Sequence, residues 1–275
     1  MKLKGSEGYV NEFKGDKKME NSSFSLKEKV AIVTGGNGGI GKGIAEGFAA
    51  AGSDVVVVAR NQQKIQETVQ GIQERFKTRV IGISCDVSKE EGIRAMMQEV
   101  RDKLGKIHIL VNNAGMNIRK MPQDYEAADW DQVLETNLRG PFLCCHAVYP
   151  FMKEAGFGKI INIGSMTSIF GGPKLAPYGA SKGGIVQLTK SLATAWAPDN
   201  IQVNAILPGW IDTALTRQAR KDIEGLHERV LDRTPAGRWG VPVDLAGTAV
   251  FLSSAASDFV TGTAIPVDGG FSTAI

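Results

Sequence analysis

Short apolar runs alternate with longer amphipathic stretches along most of the chain. KVAIVT (29–34) is β-branched and apolar and stops at glycines, so it reads as a buried strand. IGKGIAEGFAAAG follows with helical spacing, and Gly52 stands where a helix C-cap belongs. DVVVVA (54–59) is the next strand, and NQQKIQETVQGIQERF then sets Ile65, Val69, Ile72 and Phe76 on one helical stripe. RVIGISC, KEEGIRAMMQEVRDKLG and IHILVNNAG continue as strand, helix and strand. A helical region over about 127–154, the strand KIINIGS, a helix ending near Ala197 and the strands IQVNAIL and AIPVDGG complete the series.

The strands are apolar at nearly every position, which fits a sheet covered on both faces. The pattern therefore predicts an α/β fold, with a doubly wound parallel sheet of about seven strands and helices on both faces. No internal linker or repeat interrupts it, so residues 26–275 read as one domain. Residues 1–25 mix Lys, Glu, Gly, Ser and Asn without an apolar centre and read as a flexible extension. Between about 208 and 241 the alternation lapses into a polar, helical pattern. That segment follows the carboxyl end of a strand, where ligands bind in open α/β sheets, so a substrate lid is expected there.

Composition adds mainly exclusions. A net charge of +3 with no strong basic cluster disfavours nucleic acid. No apolar run reaches ~18 residues, which disfavours a membrane span. Cys85, Cys144 and Cys145 lack a metal or redox spacing, and His108, His146 and His227 are scattered, so no metal site is expected. The cysteines read as reduced and buried in a cytoplasmic protein, with that location a default.

The chemistry gathers in two places. TGGNGGIG (34–41) lies between the first strand and the first helix, with Gly35, Gly39 and Gly41 spaced G-x-x-x-G-x-G. Such glycines let backbone approach a pyrophosphate at a helix N-terminus. The second strand ends in Ala59 and Arg60, where an acidic residue would hold a ribose 2′-hydroxyl. A guanidinium there suits a 2′-phosphate and favours NADP(H), with NAD(H) as the alternative. The second place is APYGASKGGIVQL (176–188), which sets Tyr178 and Lys182 on one helical face. An ammonium beside a phenol favours the phenolate, making a tuned acid and base for alcohol–ketone exchange. Ser165, at a strand end, is a donor for a carbonyl oxygen where charge develops. Asp86 reads as a cap for a helix beginning near Ser88.

TGGNGGIG, CDVS, NNAG, LETNLRG, the Gly164–Ser165 pair, YGASK and the Pro208–Gly209 pair occur in the order seen in one family. Over about residues 26–275 the sequence resembles the short-chain dehydrogenase/reductases. NNAGMNIRK and the stretch from LDRTPAGRWG to IPVDGG most resemble the gluconate 5-dehydrogenase and 2-deoxy-D-gluconate 3-dehydrogenase members. The resemblance implies a Rossmann-type fold and hydride transfer between NAD(P) and a secondary alcohol or ketone of a sugar acid. A 3-oxoacyl-thioester reductase and a glucose dehydrogenase are the alternatives, and a non-catalytic dinucleotide sensor is the second.

It implies Tyr178 as catalytic acid/base, Lys182 as its partner, Ser165 as carbonyl-orienting hydroxyl and Asn137 as support for a proton-relay water. Cofactor contacts would come from Gly35, Asn37, Gly39, Ile40, Gly41, Arg60, Asp86, Val87, Asn113, Ala114, Gly115, Pro208, Gly209, Ile211 and Thr213, besides Tyr178 and Lys182. For a substrate carboxylate, Arg119, Lys120, Lys174, Arg217 and His227 are candidates, with Met166 and Trp210 as apolar walls. The family is commonly tetrameric. Wide apolar faces around PFLCCHAVYPFM and from Ile185 to Trp196 fit a homotetramer.

Overall fold

The computed structural model describes residues 23–274, so the expected extension lies outside the described residues up to residue 22. Seven parallel strands form one sheet: β1 (Val30–Thr34), β2 (Asp54–Ala59), β3 (Val80–Ser84), β4 (Ile109–Asn112), β5 (Gly158–Ile163), β6 (Ile201–Pro208) and β7 (Ala264–Val267). Their order is β3-β2-β1-β4-β5-β6-β7. The chain winds outward one way to β3, returns to β4 beside β1, and winds the other way. The crevice between the carboxyl ends of β1 and β4 is thus the point where strand order reverses, the usual ligand position in such sheets.

Period-two geometry explains the continuous apolar runs. In β2, Val55 and Val57 enter one core while Val56 and Val58 enter the other. Helices α1 (Gly39–Ala50) and α2 (Gln62–Arg75) cover the first face, with Ile44, Phe48, Ile65 and Ile72 fully or almost fully buried. Helix α3 (Glu90–Leu104) covers the second face through Ile93, Met96, Met97 and Val100. Gly52 does not cap α1 directly: Ala51 is the C-cap and Gly52 follows at φ 95°. Asp86 does not cap α3 either. Lys89 stands at its N-cap, and Asp86 instead accepts a hydrogen bond from the Ser88 amide at 3.0 Å, closing a local turn.

The helical region 127–154 is divided. Helix α4 (Ala127–Leu134) passes through a π-helical segment, Glu135–Arg139, into α5 (Gly140–Ala155). No sequence pattern announced that widened turn. It lies beside Gly140, where a Cβ would come within 2.7 Å of the Val87 carbonyl, so glycine permits the close approach. Helix α6 (Ala176–Trp196) follows β5, with Ser181, Lys182, Ile185, Thr189 and Ala193 along its buried side.

Beyond β6 the chain leaves the sheet for α7 (Ala214–Asp222) and α8 (Leu226–Arg233) and returns before α9 (Ala246–Ser253). This excursion has its own small core of Ala219, Leu226, Val230 and Trp239, with Trp210, Ile223 and Leu231 against it. Its two ends are tied together: Asp212 N–H donates to the Gly240 carbonyl at 2.8 Å, and Gly240 N–H to the Trp210 carbonyl at 2.9 Å. All three cysteines are free and buried, and burial raises each thiol's pKa, Cys85 to about 11 and Cys145 to about 12. Among the described residues no helix is long and apolar enough to cross a membrane.

Candidate active site

The crevice between β1 and β4 is braced by Thr34, the last residue of β1. Its hydroxyl donates to the Val111 carbonyl at 3.1 Å and accepts from the amides of Asn113 at 3.0 Å and Ala114 at 3.1 Å. The Asn113 side chain reaches back to the carbonyls of Thr34 at 3.0 Å and Gly35 at 3.2 Å. Asn113 is therefore more than a turn former: it locks the glycine loop to β4. A Cβ on Gly41 would collide with the Gly35 carbonyl and the Asn113 amide, and Gly35 has φ 64°. Tight packing and a left-handed backbone both require glycine here. The loop's far side meets Thr213, whose methyl would lie 3.2 Å from a Cβ on Gly39.

These residues fit a dinucleotide. The cradle opens at the α1 N-terminus, where Gly38 at the N-cap makes no side-chain cap bond and the free amides suit a pyrophosphate. Arg60 is exposed at the end of β2, and its charge and that of Lys89 both reach Asp86. The hydrogen bond from the Ser88 amide is the largest cause holding the Asp86 carboxyl below its usual range. Val87 is buried beside it. Asn37 and Ile40 are half-buried in the loop, and Pro208, Gly209, Ile211 and Thr213 line the path out of β6.

Helix α6 brings Tyr178 and Lys182 to the same crevice. Lys182 is 5% exposed, its Nζ donates to the Ile163 carbonyl at 2.8 Å and lies 5.7 Å from the Tyr178 ring centre. Burial pulls its pKa down to about 8. Gly115 leaves room nearby: a Cβ there would sit 3.7 Å from Lys182 Nζ and 3.3 Å from Asn137 Oδ1. Asn137, fully buried in the π-helical segment, exchanges hydrogen bonds of 2.8 Å with both backbone groups of Met116. Its amide also reaches Ser181 Oγ at 3.2 Å, and that hydroxyl donates to the Tyr178 carbonyl at 2.7 Å. The widened turn thus connects the loop after β4 to the helix carrying Tyr178.

Ser165 follows β5, accepts from the Thr167 amide at 3.2 Å and lines the same cavity as Tyr178. One expectation needs correction. Burial dominates at Tyr178 and raises its phenol above the usual value, while Ser165 and the Arg119 charge pull it back. The ammonium of Lys182 is directed to the Ile163 carbonyl instead.

Tyr178 and Ser165 face a cavity of about 790 Å³ between the sheet and the α7–α8 excursion, with Met166 and Trp210 in its walls as expected. Among the carboxylate candidates, Arg119 and Lys174 line it. The others are engaged elsewhere: Lys120 pairs with Asp129 at 2.6 Å, Arg217 with Asp212 at 3.0 Å, and His227 stacks on Trp239. Sequence reasoning missed Arg229 and Arg233, which enter from α8. Their i, i+4 spacing on one helix was the available signal.

A family model described as enoyl-(acyl carrier protein) reductase matches residues 35–272. The chain is 43% identical over 251 residues to 2-dehydro-3-deoxy-D-gluconate 5-dehydrogenase of Escherichia coli (strain K12), covering 91% of this chain and 98% of that protein. It is 37% identical to gluconate 5-dehydrogenase of Gluconobacter oxydans, covering 92% and 98%. Among solved structures it is similar to a gluconate 5-dehydrogenase from Burkholderia cenocepacia J2315 in complex with NADP and tartrate. That similarity has a TM-score of 0.87 and 39% identity, covering 92% of this chain and 98% of that one.

Proposed function

The chain belongs to the short-chain dehydrogenase/reductase family, an NAD(P)-dependent oxidoreductase of CH–OH groups, and from that premise we propose that it interconverts a secondary alcohol and a ketone on a sugar acid of the gluconate type. The observation that carries this reading is the convergence of Tyr178 and Ser165 on a cavity whose walls also hold Arg119, Lys174, Arg229 and Arg233. Names of relatives point the same way. NADP(H) is the preferred cofactor in this reading, supported by Arg60 and by the NADP in a similar structure's complex.

When bound, the nicotinamide takes or supplies the hydride. The chain's residues handle the oxygen and its proton. Ser165 Oγ hydrogen-bonds the substrate oxygen and stabilises negative charge as it develops. Tyr178 donates its proton to that oxygen in reduction and removes it in oxidation. A cationic nicotinamide and the Lys182 ammonium would both favour the phenolate that oxidation needs. Asn137 holds the Met116 backbone and, through Ser181, the backbone at Tyr178. Residues 208–241 act as the lid over this cavity.

The reading also includes a homotetramer. Supporting it, Phe142 and Trp130 are 45% and 43% exposed, and Leu134, Leu138, Phe142 and Leu188 line an open groove of about 780 Å³. A second copy is the expected cover, and the mass in dilute solution tests it. For the activity, purified protein is assayed with NADP⁺ and NAD⁺ against D-gluconate, 2-deoxy-D-gluconate, D-glucose and a 3-hydroxyacyl thioester. Turnover confined to the thioester rejects the sugar-acid reading. Tyr178→Phe should bind cofactor as before and lose turnover; retained turnover rejects the assigned acid.

A further inference from the structure

We propose that Arg233, on the lid helix α8, binds the substrate carboxylate and so sets the preference for acids over neutral polyols; this rests on the sugar-acid reading above. The five lid arginines show what is unusual about it. Arg217 and Arg220 both pair with Asp212, and Arg238 is bidentate to Asp244 at 2.7 and 3.0 Å. Arg229 and Arg233 line the cavity with Tyr178 and have no hydrogen-bond acceptor or ion-pair partner among the described residues; of the two, Arg233 alone lies over aromatic rings. Asp222 and Glu224 line the same wall without pairing to it.

What holds Arg233 is aromatic. Its guanidinium carbon lies 4.5 Å from the Phe271 ring centre and 5.4 Å from that of Phe170. The two rings come from separate segments, one after β5 and one after β7, and both pack against the small core of Met166, Ala205 and Leu207. Stacking occupies a guanidinium's face and leaves its N–H donors at the edge, the fork that grips a carboxylate with two bonds. A positioned fork with unfilled donors is a pre-built anion site. Arg119 has a different place: its charge reaches the Tyr178 phenol, so it belongs to the proton-transfer end. A sugar acid reacting several carbons from its carboxylate needs a cation away from the proton-transfer end of the cavity. Because Arg233 is on α8 and Tyr178 on α6, the acid also bridges lid and sheet when held this way.

The test pairs D-gluconate with D-glucitol, which carries a neutral –CH₂OH in place of the carboxylate. Wild type, Arg233→Met and Arg233→Lys are compared for NADP⁺-linked oxidation of both, and for binding of D-gluconate to the NADPH complex by calorimetry. In Arg233→Met, kcat/KM for D-gluconate should fall about 10- to 100-fold, mainly through KM, the size expected for a charged hydrogen-bonded pair. D-Glucitol oxidation should change less than about threefold, and Arg233→Lys should recover part of the acid's affinity. Equal losses on acid and polyol, or unchanged D-gluconate binding in Arg233→Met, overturn the assignment. If wild type turns over D-gluconate yet the variant matches it, Arg233 fails and the sugar-acid reading stands. If wild type neither binds nor oxidises D-gluconate, both fail. Should Arg233→Met fold poorly, Arg233→Lys and Phe271→Leu carry the same comparison: each should weaken the acid selectively, and an unselective loss counts against the proposal.

Discussion

The floor of the cavity and its proposed lid are built on different principles. The floor is fixed by the two cores that sandwich the sheet. Thr34, Asn113, Asn137 and Lys182 are buried or half-buried and bonded to backbone from other elements. The excursion between β6 and α9 has a separate core, and its ion pairs are internal, Asp212 with Arg217 and Arg220, Asp244 with Arg238. A region coupled to many elements tolerates little change and holds atoms for chemistry. A region closed on itself can shift as a body, which suits the admission and release of a ligand.

This contrast breaks first, if it is wrong, at the floor. Tyr178→Phe should lower kcat about 10²- to 10⁴-fold with cofactor affinity preserved, measured by initial rates and by fluorescence titration of NADPH. Gly41→Val should remove cofactor binding itself, because the added branch meets the Gly35 carbonyl and the Asn113 amide. Normal NADPH affinity in that variant would show that the cradle yields, contrary to the rigid floor described.

Lys182 gives a subtler handle. Its pKa of about 8 lies below the ordinary lysine value of 10.5, so between those values the unfolded chain binds more protons than the folded one. Stability from this group therefore rises with pH across that window, and below it the buried charge costs on the order of 3 kcal/mol. Thermal unfolding of wild type and Lys182→Met at pH 7 and pH 10 tests the sign: wild type should gain on the variant at the higher pH. His108 has the same sign at the acid end. Burial lowers it to about 4, so stability it supports above pH 6.5 is lost as pH falls towards 4.

The smaller effects lie at the periphery. Arg60→Ala should raise the KM for NADP⁺ about tenfold and leave that for NAD⁺ nearly unchanged, since only the former presents a 2′-phosphate to a cation. Asp212→Asn removes the anion shared by exposed Arg217 and half-buried Arg220 and should shift KM for the substrate only about two- to fivefold. A hundredfold loss from Asp212→Asn would mean the lid is wired into the floor after all.

The floor was also the more legible region. Val55 to Val58 announced a strand buried on two faces, and the glycine spacing announced a tight loop because only a hydrogen side chain fits there. The i, i+4 placement of Tyr178 and Lys182 carried over directly to one helix face. The direction of the Lys182 ammonium did not, since it depends on the Ile163 carbonyl from another element. The π-helical turn holding Asn137 was invisible too, and its neighbours, the Val87 and Met116 backbones, come from other parts of the chain. In the lid, Arg217 and Arg233 look alike as letters. Only the nearness of Asp212 to one, and of Phe170 and Phe271 to the other, separates them.

The paired hydrogen bonds joining Trp210 and Asp212 to Gly240 clip residues 213–239 together at the base, while the Ala236 N–H bond to the Gly269 carbonyl at 3.0 Å fastens the segment again beyond β7. Substitutions inside it therefore alter the cavity wall without passing through the strands and helix that hold Ser165 and Tyr178.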